Sequence, residues 1–154
     1  MHVQDYLQLV LNSEYQMAEA FSKVADHHMD EPDIHSMCLN LSSWSQNHVK
    51  LLEPLRMKYE KHAGKTKEPE RLSQTLFKEP RKGPIALLRD LHDLWLITKE
   101  IEISYKVLLQ AARALRDTEL ETLILRLSSD TKRQSDWLLT RVKQAAPQIL
   151  VVAE

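Results

Sequence analysis

The chain has 154 residues, 43% of them hydrophobic and 28% charged, with a formal net charge of −1. That is enough chain to close one core without disulfides or a structural metal, and the near-neutral balance excludes nucleic acid and an acidic membrane surface as main partners. No apolar run approaches the roughly eighteen residues of a membrane span, no leader pattern opens the N-terminus, and the single cysteine, Cys38, excludes an internal disulfide, so a cytoplasmic protein is expected.

Only two glycines and six prolines leave little material for turns, which predicts few, long elements. From Val3 to about His28 the residues Leu7, Val10, Leu11, Met17, Ala18, Phe21, Val24 and Ala25 recur at steps of three and four, as on the buried face of an amphipathic helix. Asp30-Glu31-Pro32-Asp33 breaks this helix, and Asp33 is placed to cap a second one over residues 33–62, with Leu41, Trp44, His48, Leu51 and Leu55 inward. Pro54 lies inside it, removing one backbone hydrogen bond and crowding the preceding turn, which predicts a kink at residues 50–54 rather than a stop.

Residues 63–83 differ in kind, holding both glycines and two of the prolines among scattered Lys and Arg. A helix of about 25 residues is roughly 37 Å long, and about 20 residues of linker can run back along it, so this stretch reads as a solvated crossover with a short helix over Pro69 to Phe77. Gly83-Pro84 opens a third helix over residues 84–116, with Leu87, Leu91, Leu94, Thr98, Ile101, Tyr105, Leu108, Ala112 and Leu115 at alternating steps of four and three. After a break at Arg116-Asp117-Thr118, a fourth helix over residues 119–146 turns Leu120, Leu123, Leu127, Gln134, Trp137 and Leu138 inward. Pro147 reads as its stop, and the apolar tail Ile149-Leu150-Val151-Val152 as docking back on the bundle. The expected fold is therefore all-α: one domain over residues 1–154, an antiparallel four-helix bundle of two helical hairpins joined by a long crossover.

The two halves are related in sequence. LSSWSQNHVKLL, Leu41 to Leu52, returns as LSSDTKRQSDWL, Leu127 to Leu138, at an offset of 86 residues that carries Ser45 onto Thr131, His48 onto Gln134 and Glu14 onto Glu100. Helical neighbours three and four residues away turn Glu14, Ser45, His48, Glu100, Thr131 and Gln134 inward, while Glu19 and Glu102 lie among lysines and read as surface ion-pair residues. Two glutamates in an apolar core need compensation, either by a metal ion or by a protonated His48 with the Gln134 amide and the hydroxyls around it.

This pattern resembles the ferritin-like superfamily, the rubrerythrin and bacterioferritin type of bundle. That family holds a dinuclear iron or manganese centre between a glutamate from each of two helices and an E-x-x-H pair from each of the other two. Glu14, His48 and Glu100 match its ligand positions, whereas Ser45, Thr131 and Gln134 stand where three further ligands would be. Two divalent ions need about four carboxylates to balance them, and two remain here. The resemblance thus implies a bundle that has lost the dinuclear site and acts, without cofactor, as a structural or binding protein and a homo-oligomer, in the first place a dimer. The alternative is a metal-dependent oxidoreductase holding a single Fe, Mn or Zn ion on Glu14, His48 and Glu100.

Other candidates are weaker. The stretch from Asp26 to His35, with His27, His28 and His35, is dense in potential ligands but lacks the spacing of a defined site, and reads as a polar surface loop. His92 beside Asp93, and Tyr15 with Tyr105, fit ordinary packing as well as acid, base or radical roles. Cys38 reads as a small buried hydrophobe. Gly-rich phosphate loops, nucleophile elbows and zinc-type cysteine pairs are missing from the sequence.

Overall fold

The computed structural model describes residues 2–61, 77 and 79–152. They form four helices, α1 (Val3–His27), α2 (Pro32–Glu60), α3 (Ala86–Ala114) and α4 (Thr118–Pro147), then a π-helical turn at Gln148–Val152. Among the described residues there is no strand. One apolar cluster draws on all four helices, as a bundle requires. The expected short helix over Pro69 to Phe77 falls, apart from Phe77, outside the described residues.

The helix ends follow from local chemistry, and two differ from expectation. Asp33 does not cap α2: Pro32, its backbone already set for helix, occupies the first turn and Glu31 the cap position, without a side-chain bond. Asp33 instead receives Arg141 Nε at 2.8 Å. Pro84 lies ahead of α3 rather than inside it, since Gly83, at φ +94°, turns the chain through Pro84 and Ile85 before Ala86 N bonds Gly83 O at 3.2 Å. Pro147 is the last residue of α4, as its reading as a stop expects, and the chain continues as the wider π turn. Of the tail, Ile149 packs on the core while Leu150, Val151 and Val152 stay exposed. Elsewhere the signals hold: α2 runs on through Pro54, and Arg116, at φ 53°, reverses the chain into Asp117, whose carboxylate accepts from Leu120 N at 3.0 Å.

Burial shows that the internal repeat carries two different offsets. Along α2 and α4 the buried positions keep the 86-residue relation: Leu41 with Leu127, Ser45 with Thr131, His48 with Gln134, Leu52 with Leu138. Along α1 and α3 they match at 84 residues, pairing Leu7 with Leu91, Val10 with Leu94, Met17 with Ile101, Phe21 with Tyr105 and Val24 with Leu108. A shift of two residues turns a helix by about 200°, so it decides which side chain enters the core. Thr98, not Glu100, holds the position in α3 that Glu14 holds in α1, and Glu100 is half-buried. Its apolar neighbours mislead because Leu96 and Ile103 themselves face solvent; exposed leucines and isoleucines are ordinary on protein surfaces.

The helices are joined by polar contacts at defined levels. Ser42 Oγ donates to Ala18 O at 2.7 Å and His35 Nδ1 to Ala25 O at 2.8 Å, tying α2 to α1. Between α2 and α4 the cross-links run from Arg141–Asp33 through Gln134–Ser45 and His48–Asp130 to Tyr59–Asp117. The two-residue shift has a direct test in urea unfolding: Ile101→Ala should cost about 2–5 kcal/mol, as deletions in packed cores do, and Ile103→Ala no more than about 0.5 kcal/mol. Equal losses would contradict the assigned register.

Candidate functional site

The polar centre of the bundle is built from one side chain on each helix. Glu14 projects from the buried face of α1 and is fully shielded from solvent, as is His48 on α2. His48 Nδ1 lies 3.0 Å from Glu14 Oε1 and His48 Nε2 3.1 Å from Asp130 Oδ2 on α4. From α3, Tyr105 Oη donates to the same Glu14 oxygen at 2.6 Å. A neutral imidazole has one N–H and one lone pair, so a ring set between two carboxylates is satisfied only with both nitrogens protonated. Burial opposes that charge, but the hydrogen bond and charge of Glu14, reinforced by those of Asp130, outweigh it and hold the His48 pKa above its ordinary value. Tyr105 remains a donor, because burial and the adjacent Glu14 charge push its phenol well up.

This hydrogen-bonded chain reaches solvent at one end only, where the Asp130 side chain is 29% exposed. There Arg133 lies over the Trp44 ring, 4.7 Å from its centroid, and 4.0 Å from Asp130 Oδ1. One turn away, Gln134 Nε2 donates to Leu41 O and to Ser45 Oγ, each at 3.0 Å, while Thr131 Oγ1 bonds Leu127 O of its own helix at 2.9 Å. Among the described residues, two buried acceptor atoms of this centre have no hydrogen-bond partner, Glu14 Oε2 and Gln134 Oε1.

Of the ligand set expected for a metal ion, Glu14 and His48 come together and Glu100 stays half-buried on α3. Both His48 nitrogens already face carboxylates, so neither lone pair is turned toward an ion, and among the described residues no group of three His, Cys, Asp or Glu side chains is arranged to hold one. As arranged, these donors do not fit a divalent ion. What they do fit is an internal imidazolium with two counter-carboxylates.

The remaining candidates separate. His28 is buried, not a surface-loop residue: its Nε2 lies 2.7 Å from Asp90 Oδ2. Asp90 also receives Arg81 at 2.6 Å, and Arg81 pairs Asp93 as well, so one guanidinium joins the end of the crossover to two buried carboxylates of α3. His92 and Tyr15 are exposed, away from the centre. Glu19 and Glu102 pair with Lys23 and Lys99, as their sequence neighbours suggested. Cys38 is fully buried, and burial, helped by the charges of Asp33 and Asp90, pushes its thiol up to about 12, as for an inert core residue. Sequence reasoning missed Asp130 and the Arg81–Asp90–Asp93 cluster. The signal for Asp130 was its place one turn before Gln134 and one turn after Leu127, on the edge of the buried stripe.

Comparison with known proteins returned no matching family model, curated protein or solved structure. Among the described residues, no helix is long and apolar enough to cross a membrane.

Because the folded pKa of His48 is raised above the roughly 6.5 of an unfolded chain, its pairing stabilises fully below that value, and the contribution is lost as pH rises through the folded pKa. The stability advantage of the native chain over His48→Gln should therefore be largest near pH 6 and shrink toward alkaline pH, with Asp130→Asn moving the decline to lower pH. Urea midpoints across this range check both; an advantage growing with pH would contradict the charged ring.

Proposed function

We propose that the chain is an antiparallel four-helix bundle of the ferritin-like kind that has lost the dinuclear site and acts in the cytoplasm as a structural or binding protein. One observation carries this reading: the ring of His48 sits between Glu14 and Asp130, so an internal cation occupies the role that a metal plays where four carboxylates converge. The long crossover, the order of the helices and the 86-residue relation between α2 and α4 support the ancestry. Hydroxyl and amide groups at Ser45, Thr131 and Gln134 support the loss, since the Gln134 amide N–H bonds Ser45 and a backbone carbonyl and Thr131 bonds its own helix without an ion. Self-association as a dimer accords with the exposed apolar end Leu150, Val151 and Val152.

A second reading keeps a single Fe, Mn or Zn ion on Glu14, His48 and Glu100, and the unpartnered Glu14 Oε2 is the atom that favours it. Such an ion would have to displace a carboxylate from one nitrogen of His48.

Elemental analysis after purification without chelators, and again after anaerobic reconstitution with Fe(II) and Mn(II), separates the two. Substoichiometric metal in both preparations, together with two slowly exchanging imidazole N–H protons on His48 by NMR, is the expected result. One ion per chain, abolished in Glu14→Ala and His48→Ala, would replace the proposal with the metal-dependent oxidoreductase. Light scattering should give a dimer; a large shell would point to storage instead.

A further inference from the structure

The outer face of α3 and α4 holds a groove of about 650 Å³. Ser42 reaches Ala18 O because alanine lets the two backbones approach; at the corresponding offsets the second pair has Ser128 and Glu102, and the longer side chain turns away to pair with Lys99 at 2.7 Å. The groove lies beside this pair. Its floor is apolar, formed by Ile103, 58% exposed, and Leu125, 47% exposed. Lys99, Lys106 and Lys132 surround it against the single acid Glu102. Lys99 and Lys132 are each held by a carboxylate, Glu102 and Asp136, whereas among the described residues Lys106 and the Ser128 and Ser129 hydroxyls have no partner.

We propose that this groove binds a small amphiphilic anion, a carboxylate or phosphate head group on a short apolar body. The volume lies within the roughly 300–1,000 Å³ of ligand sites, and the lining combines apolar floor with a few convergent polar groups. Lys106 supplies the unpaired cation and the two serines supply hydrogen-bond donors to the head group; Ile103 and Leu125 lose water to the body. The site lies on the outside of the second helix pair and does not depend on the role assigned to the core.

Calorimetric titration of the full chain with octanoate, octyl phosphate, octanol, octylammonium and inorganic phosphate tests it. Saturable binding of one octanoate or one octyl phosphate per chain is expected, the tighter of the two identifying the head group. Lys106→Glu should weaken that binding at least about tenfold, Lys106→Arg should retain it, and Lys23→Glu on α1 should leave it unchanged. Circular dichroism verifies that these surface variants fold. Equal affinity for octanol or octylammonium, inorganic phosphate binding as tightly as octyl phosphate, unchanged binding in Lys106→Glu, or no saturable binding below amphiphile self-association would each overturn the proposal.

Discussion

The interaction on which the core depends is the cation at its centre. An imidazole as deeply buried as His48 would normally release its proton; with Glu14 3.0 Å away it holds it. Asp130 receives the second N–H and Tyr105 donates to Glu14, so four helices each contribute one member to a single hydrogen-bonded unit. Apolar packing tolerates sliding by a turn, since one leucine resembles another. A charged unit with directional bonds does not, and it ties the four helices to one relative level.

A second polar cluster does comparable work at the periphery. Asp90 and Asp93 are buried on α3, where two like charges within one turn would repel. Arg81 bridges both, and His28 meets Asp90 from the end of α1, so the crossover, α1 and α3 are held at one corner. The seam between α2 and α4 adds cross-links along its length, from Arg141–Asp33 to Tyr59–Asp117. The apolar cluster supplies the bulk of the burial, and the polar contacts select which apolar arrangement is adopted.

The helices, their order and most of the buried positions were legible because a period near 3.6 can be read directly from leucine spacing. The 86-residue relation correctly placed Ser45, His48, Thr131 and Gln134 on the buried faces. It misled at Glu100 because α3 runs further beyond its last matched core residue, Leu108, than α1 does beyond Val24, so the offset is 84 in α1 and α3, which no local pattern announces. Asp130 was illegible for another reason: it borders the stripe, and only the distance across the bundle to His48 reveals its role. Arg81 looked like one more solvated charge of a basic connector, since the buried pair it serves is brought to it by the fold.

The asymmetry between the two helix pairs bears on which halves of two copies can associate. Two pairs of related sequence, joined by a long linker, could pair like with like, the first pair of one molecule against the first pair of another. In such an association the position of Asp130 would be taken by its counterpart Trp44, and each buried His48 would lose one of its two acceptors. Association of two second pairs would bring Asp130 toward Gln134 with no imidazole between them. Only unlike halves complete the charge balance, so divergence of the repeat also directs each half to its own complement and makes homotypic pairing costly.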